Sequence, residues 1–110
     1  MTTSLILTAQ EWRYAVCGEG ESGGLCEKGL AIRDENERLV LGPELRMIVE
    51  EYGSVRPDII APDVTAVRGG RFCMLIEPYK LIKDTLKITL LKDASALETA
   101  LEERGNCEND

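Results

Sequence analysis

The side chains that could perform chemistry in this chain are cysteines and carboxylates, because the 110-residue sequence contains no histidine. Without an imidazole, a Ser-His triad and a histidine-ligated metal are both excluded. No two cysteines form a C-x-x-C pair, whereas structural zinc sites usually contain two close pairs of ligands. We therefore expect free thiols, with a disulfide or a metal site as the remaining alternatives. The cysteines are Cys17, Cys26, Cys73 and Cys107.

Adjacent glutamates occur on two predicted helices, as Glu50/Glu51 and Glu102/Glu103. Neighbouring helical residues point in different directions, so these carboxylates do not converge as an acid–base pair must. We interpret them as solvated helix faces. A cysteine nucleophile would need an adjacent base, and only lysines are available. The sequence therefore predicts no enzyme: we expect no catalytic residue, no cofactor and no metal site.

The charge balance disfavours nucleic acid as a partner. Thirteen basic against twenty acidic residues give a net charge of −7, which repels a phosphate backbone. No apolar run approaches the roughly 18 residues that span a bilayer. The apolar residues 5–7 are too few for a signal peptide and follow no basic segment. We expect a cytoplasmic protein without a membrane segment.

The first half of the chain predicts a helix-helix-wing-helix unit. A capping box over residues 8–11 begins the first helix, and Gly18 ends it. A glycine-rich link follows, and a short helix is expected to begin at Ser22 or Gly24 and to end at Lys28. The next residue, Gly29, suits a left-handed helix cap.

A hairpin and a second long helix complete this unit. Residues 30–32 and 39–41 are apolar and flank a polar apex, which predicts a small hairpin or wing. Proline at position 43 suits a first helical turn. From there, apolar residues recur at the i, i+3, i+4 and i+7 positions, which predicts a helix over 43–52 ended by Gly53.

In the second half of the chain, apolar residues recur at every second position, which predicts a three-stranded antiparallel sheet. Residues 54–63 contain two prolines, and we expect an irregular connection packed by Val55, Ile59 and Ile60. The first two strands are expected to join in a tight hairpin at Gly69-Gly70. The predicted strands are 64–68, 71–77 and 86–91.

A C-terminal helix over residues 94–104 is predicted to dock on this sheet through Leu97 and Leu101. Asp93 or Ser95 can cap its start, and Gly105 is expected to end it. The acidic residues 106–110 then predict a frayed tail. The expected fold class is α+β, with residues 1–105 forming one domain.

Three short runs, residues 7–12, 25–31 and 41–45, resemble the opening of EspG-type chaperones of type VII secretion. The runs are Leu-Thr-Ala-Gln-Glu-Trp, Leu-x-x-x-Gly-Leu-Ala and Leu-Gly-Pro-Glu-Leu. The strand and helix over residues 86–101 also resemble one half of that α+β fold. The resemblance implies binding of a partner protein in the cytosol before export, without catalysis. The chain has about half of the family's length, so a homodimer would supply the second half, or the chain is a single-half relative.

The best local indication of a contact surface is the loop at residues 79–85, where two aliphatic residues stand among polar ones. The sheet edges of a small α+β domain can also accept another chain. Two alternatives stay open: the lysines of this region protect a sheet edge, or the aliphatic pair packs under the loop. The predicted partner-binding residues are Tyr79, Leu81, Ile82, Lys83 and Lys87.

We therefore expect a non-enzymatic cytoplasmic module that binds a protein partner or a second copy of itself, as a secretion-linked chaperone or adaptor. The alternative is a winged-helix DNA-binding transcriptional regulator, which the helix-helix-wing order favours. Its expected wing apex, residues 34–37, is Asp-Glu-Asn-Glu, and the exposed face of the 43–52 helix is rich in glutamate. Acidic residues at these positions disfavour DNA.

Overall fold

The computed structural model describes residues 3–21, 23–61 and 63–108. Within this part of the chain, helices cover both faces of an antiparallel sheet, and a small separate hairpin lies beside them. The α+β class is therefore confirmed. In chain order the elements are β1 (Thr3–Thr8), α1 (Ala9–Cys17), β2 (Ala31–Arg33), β3 (Leu39–Leu41), α2 (Pro43–Ser54), β4 (Asp58–Ala61), β5 (Val64–Arg68), β6 (Cys73–Pro78), β7 (Thr85–Leu91) and α3 (Ala94–Glu108).

The main sheet has five strands in the order β1-β7-β6-β5-β4. The three predicted strands correspond to β5, β6 and β7, but the expectation of a three-stranded sheet is wrong. The sequence signals miss β1 because its apolar residues directly precede a helix-capping box. They miss β4 because prolines at 57 and 62 flank its four residues, and proline is typical of irregular or edge segments.

The alternation of side chains along the strands divides the apolar residues between two cores. One face of the sheet, with Met74, Ile76 and Ile88, packs against α1 and α2. The opposite face, with Cys73 and Leu75, packs against α3. Helices cover both faces of the sheet over β6, so β6 has apolar side chains on both of its sides.

The helices on the first face pack against each other as well as on the sheet. Leu45 and Ile48 of α2 are fully buried there, and Trp12 of α1 contacts Tyr52 of α2 edge to face, with ring centroids 5.2 Å apart. The sequence predicts that this helix ends at Gly53, but helix α2 continues to Ser54. A glycine weakens a helix by about 1 kcal/mol but does not by itself stop one.

The expected short second helix is not formed. Residues 23–29 are a series of turns, closed as predicted by Gly29 in a left-handed conformation (φ 76°). The Leu30 N–H donates to the Leu25 carbonyl (2.9 Å) and the Gly29 N–H to the Cys26 carbonyl (3.1 Å). This Schellman pattern terminates one turn, and so short a segment cannot offset the cost of helix nucleation.

The predicted small hairpin is confirmed as β2 paired with β3. At its apex the Asp34 carboxylate accepts hydrogen bonds from the N–H groups of Asn36 and Arg38, both 2.9 Å long. An aspartate that binds backbone two residues ahead is typical of a tight turn. Asp34 of the acidic apex therefore stabilises the turn of the hairpin.

Helix α3 docks on the second face through Leu97, which is fully buried, with Leu101 partly buried beside it. The Asp93 carboxylate accepts a hydrogen bond from the Ala96 N–H (2.9 Å), so Asp93 is the cap. The helix continues to Glu108, and the expected end at Gly105 is wrong. The last two residues of the predicted tail lie outside the described residues.

Truncation of Leu97 tests whether α3 is held by the second core. We expect Leu97→Ala to lower the free energy of unfolding by about 2–5 kcal/mol, because it leaves a cavity beneath the helix. Leu81→Ala is the matched control, since Leu81 is 80% exposed and Leu97 is not exposed at all. Urea unfolding measures both variants. Equal effects of the two substitutions would contradict the packing described.

Candidate functional site

Two glutamates that the sequence placed on solvated or capping positions are buried in the fold. The first, Glu11 of α1, is 1% exposed. Its carboxylate accepts hydrogen bonds from the Thr8 N–H (2.9 Å), the Gly24 N–H (2.5 Å) and the ammonium group of Lys28. A Cβ atom added at Gly23 would lie 2.8 Å from the Glu11 side chain. Glu11 therefore fastens the 23–29 turns to the start of α1.

The second buried glutamate is Glu51 of α2, which is 4% exposed. Its carboxylate accepts hydrogen bonds from the Arg71 N–H (3.2 Å) and from Arg71 Nε (2.5 Å). It lies over the loop between β5 and β6, where a Cβ atom on Gly69 would collide with it. The expectation that Glu51 is solvated is wrong, because the arginine that neutralises it lies 20 residues away.

The environment of each carboxylate keeps it ionised. Burial by itself would raise the pKa of Glu11, but the hydrogen bonds from Lys28, Thr8 and Gly24 outweigh it and lower that pKa. The hydrogen bond from Arg71 lowers the pKa of Glu51 against the opposing effect of burial. A general acid needs the reverse, a raised pKa. Both groups therefore have the properties of structural anions.

The predicted contact loop is held firmly while its aliphatic side chains face outward. The Tyr79 N–H donates to the Thr85 carbonyl (2.8 Å), and the Ala9 N–H donates to the Asp84 carbonyl (2.9 Å). Leu81 is nevertheless 80% exposed and Ile82 is 55% exposed. The alternative that these two residues pack under the loop is therefore wrong.

The structure brings together four of the five predicted partner-binding residues. Tyr79, Leu81, Ile82 and Lys83 share the loop, in which Leu81 and Lys83 are exposed and Tyr79 is half-buried. Lys87 lies apart, because it belongs to β7 and its register places it between β1 and β6. Since β7 is an interior strand, Lys87 does not protect a sheet edge.

Two sheet edges that the sequence did not reveal are the other candidate contact sites. At β4, Ile59 is 77% exposed and Ile60 is 46% exposed, which corrects the expectation that they pack the connection. This edge carries a register shift and an ion pair between Asp58 and Arg68 (3.1 Å), and Arg68 also pairs with Glu98 (2.8 Å). Bulges and charges of this kind protect an edge.

The other edge, β1, lies against a groove that we call the β1 groove. Ser4 and Ile6 of the strand form one side, and Lys28 and Leu30 of the turn region form another part of the wall. Ile82 of the contact loop lines the same groove, so the predicted loop and the unpredicted strand share one surface. The run Thr-Ser-Leu-Ile-Leu-Thr, with its β-branched residues, was the signal available for this strand.

The pH dependence of stability tests the assignment of Glu51. A carboxyl whose pKa is lowered on folding stabilises the fold above its unfolded pKa, here 4.5, and loses that contribution as the pH falls through the folded value. We expect Glu51→Gln to cost about 1–2 kcal/mol at pH 7, because Arg71 is half-exposed and partly screened. The variant should also lose less stability than the parent below about pH 4.5.

The control for this experiment is Glu50→Gln, whose side chain is 54% exposed and pairs with the same arginine at 3.5 Å. We expect it to change stability by less than about 0.5 kcal/mol. Urea unfolding between pH 3 and pH 7 measures all three proteins. Glu11 also has a lowered pKa, so part of the acid-induced loss should persist in Glu51→Gln; the assignment fails if the variant retains the whole loss seen in the parent.

The described residues also limit the other classes of site. They contain no group of three or more cysteine and carboxylate side chains placed to hold a metal ion. None of their helices combines the length and the apolar character needed to cross a membrane. Comparison with protein-family models, with curated proteins and with solved structures finds no match to this chain.

Proposed function

We propose that this chain is a non-enzymatic module that binds another protein, and that its contact surface is centred on Leu81 and Ile82. The observation that supports this most strongly is the exposure of this adjacent aliphatic pair on a loop whose backbone is fixed at both ends. A fixed backbone prevents the side chains from turning into the core. Their apolar area can be buried only against a partner, and this burial contributes about 25 cal/mol of stabilisation for each Å².

The charges around the pair support a protein partner with acidic residues. Lys80 and Lys83 flank Leu81 and Ile82, in a chain whose net charge is −7. A polar rim around an apolar centre is the usual anatomy of a protein-binding surface. Complementary carboxylates on the partner would increase the rate of association and set its orientation.

The proposal extends to a secretion-linked chaperone or adaptor, which rests on the resemblance to EspG-type proteins. The cytoplasm is the compartment we propose, since Cys17 and Cys26 are exposed free thiols, which are typical of a reducing environment. The winged-helix alternative has less support, because residues 23–29 form turns where its second helix is required. Its expected wing also has an acidic apex.

Paired substitutions test the proposed surface. In capture from the cells that produce the protein, we expect the tagged parent to recover one partner in a stoichiometric amount. Replacement of both residues, Leu81→Ser with Ile82→Ser, should weaken the purified complex by at least about tenfold, as expected for truncation of central apolar contacts. Titration calorimetry with the recovered partner measures this change.

The matched control is Ile59→Ser with Ile60→Ser, which removes a similarly exposed aliphatic pair from the β4 edge. We expect this variant to bind as the parent does. Repeated recovery of the chain alone would refute the proposed function. An equal loss of binding in both double variants would refute the assigned surface.

A further inference from the structure

The outer edge of β1 has a defined set of free backbone groups. In an antiparallel pair, successive residues alternate between facing the neighbouring strand and facing away from it. The Ala9 N–H donates to the Asp84 carbonyl (2.9 Å) and continues the register in which Leu7 opposes Leu86. Residues 5, 7 and 9 therefore direct their backbone groups towards β7.

By the same alternation, Ser4, Ile6 and Thr8 direct their N–H and C=O groups away from the sheet. The N–H of Thr8 already donates to the Glu11 carboxylate (2.9 Å), which agrees with its outward direction. Ser4 and Ile6 keep both groups available, and the hydrogen bonds of the described residues include no partner for them. The edge thus offers two backbone N–H donors and two C=O acceptors, spaced as the pairing of a further strand requires.

This edge lacks the features that normally prevent strand addition. Over Thr3–Thr8 it contains no proline and no charged residue, and its pairing with β7 has no register shift. The opposite edge, β4, has a register shift and the charged pair of Asp58 and Arg68. Since natural sheets protect their edges with such features, an unprotected strand indicates a strand partner.

The β1 groove gives the added strand walls and a charge preference. Ile82 supplies most of the apolar surface, since Leu30 also lines the groove but is largely buried. Lys28 lies near the Thr8 end of the strand, where it pairs with Glu11. The adjoining groove shares Ile82 and is lined by Lys80, Lys83 and a single carboxylate, Asp84. Because Glu11 neutralises Lys28, the remaining charges at this end are Lys80 and Lys83 against Asp84, a positive balance that favours an acidic ligand.

We propose that β1 binds an extended peptide of a partner protein as a sixth, antiparallel strand, with carboxylates at the peptide end beside Thr8. This inference rests on the proposed function and specifies its binding mode. The antiparallel direction follows from the greater stability of that pairing, and it places the carboxylates at the N-terminal end of the peptide. A second copy of this chain fits less well, because its own β1 residues, Thr3–Thr8, include no carboxylate for the lysines.

The test uses two synthetic peptides and amide NMR of the full chain. The first peptide is two glutamates followed by Val-Thr-Val-Thr-Val, and the second replaces the glutamates with lysines. We expect the acidic peptide to shift the amide signals of Ser4 and Ile6 and to slow their hydrogen exchange. It should bind about fivefold more tightly than the lysine peptide, as expected for two exposed ion pairs.

A proline at an outward-facing position provides the blocking variant. Ser4→Pro removes one outward N–H and leaves the bonds to β7 intact, so the fold should persist. We expect this substitution to weaken binding of the acidic peptide by about tenfold, measured from the shift of the Ile6 amide signal. Ser4→Ala is the matched control and should bind as the parent does. The hydrogen-exchange measurement on the parent decides the matter if the proline variant does not fold.

Three outcomes would overturn the inference. Peptide shifts confined to residues 79–84 would refute strand addition and leave the proposed loop surface standing. A concentration-dependent dimer in sedimentation that Ser4→Pro abolishes would identify a second copy as the occupant. Absence of any response at millimolar peptide would refute a peptide site at β1. The proposed function is judged separately, by the capture of a partner through Leu81 and Ile82.

Discussion

The structure depends on two buried glutamates that tie helices to glycine-containing loops. Glu11 neutralises Lys28 and accepts backbone hydrogen bonds that hold the 23–29 turns, and Glu51 does the same for the β5–β6 loop through Arg71. A buried charge without such partners would cost several kcal/mol, so each helix, its loop and its cation form a single arrangement. Gly23 and Gly69 belong to it, because a larger residue would meet the carboxylate.

These two contacts determine which surfaces remain for binding. The Glu11 contact places Lys28 and Leu30 beside β1 and creates the wall of the β1 groove. It also occupies the outward N–H of Thr8 and so limits the free edge of β1 to Ser4 and Ile6. Because helices cover both sheet faces over β6, the main sheet can offer apolar residues to another chain only at its edges and at the 79–84 loop.

Much of the fold follows from local sequence. The capping box of α1, the left-handed Gly29, the β2–β3 hairpin and the strands β5 to β7 were predictable, since each depends on residues a few positions apart. The division of Met74 from Leu75 between two cores followed from alternation alone. The exposed loop was also predictable in part, because aliphatic residues between lysines are unusual. The edge strands were not, because short apolar segments beside a cap or a proline are ambiguous.

The sequence by itself determined the α+β class, the periods of its helices and strands, and a hypothesis of protein binding without catalysis. Only the tertiary structure decided that Glu51 is buried, that Lys87 lies inside the sheet and that β1 is an open edge. The reason is physical. Periodicity and capping are properties of neighbouring residues, whereas burial and edge position depend on pairings such as Thr8 with Thr85. Such distant pairings form only when the whole chain folds.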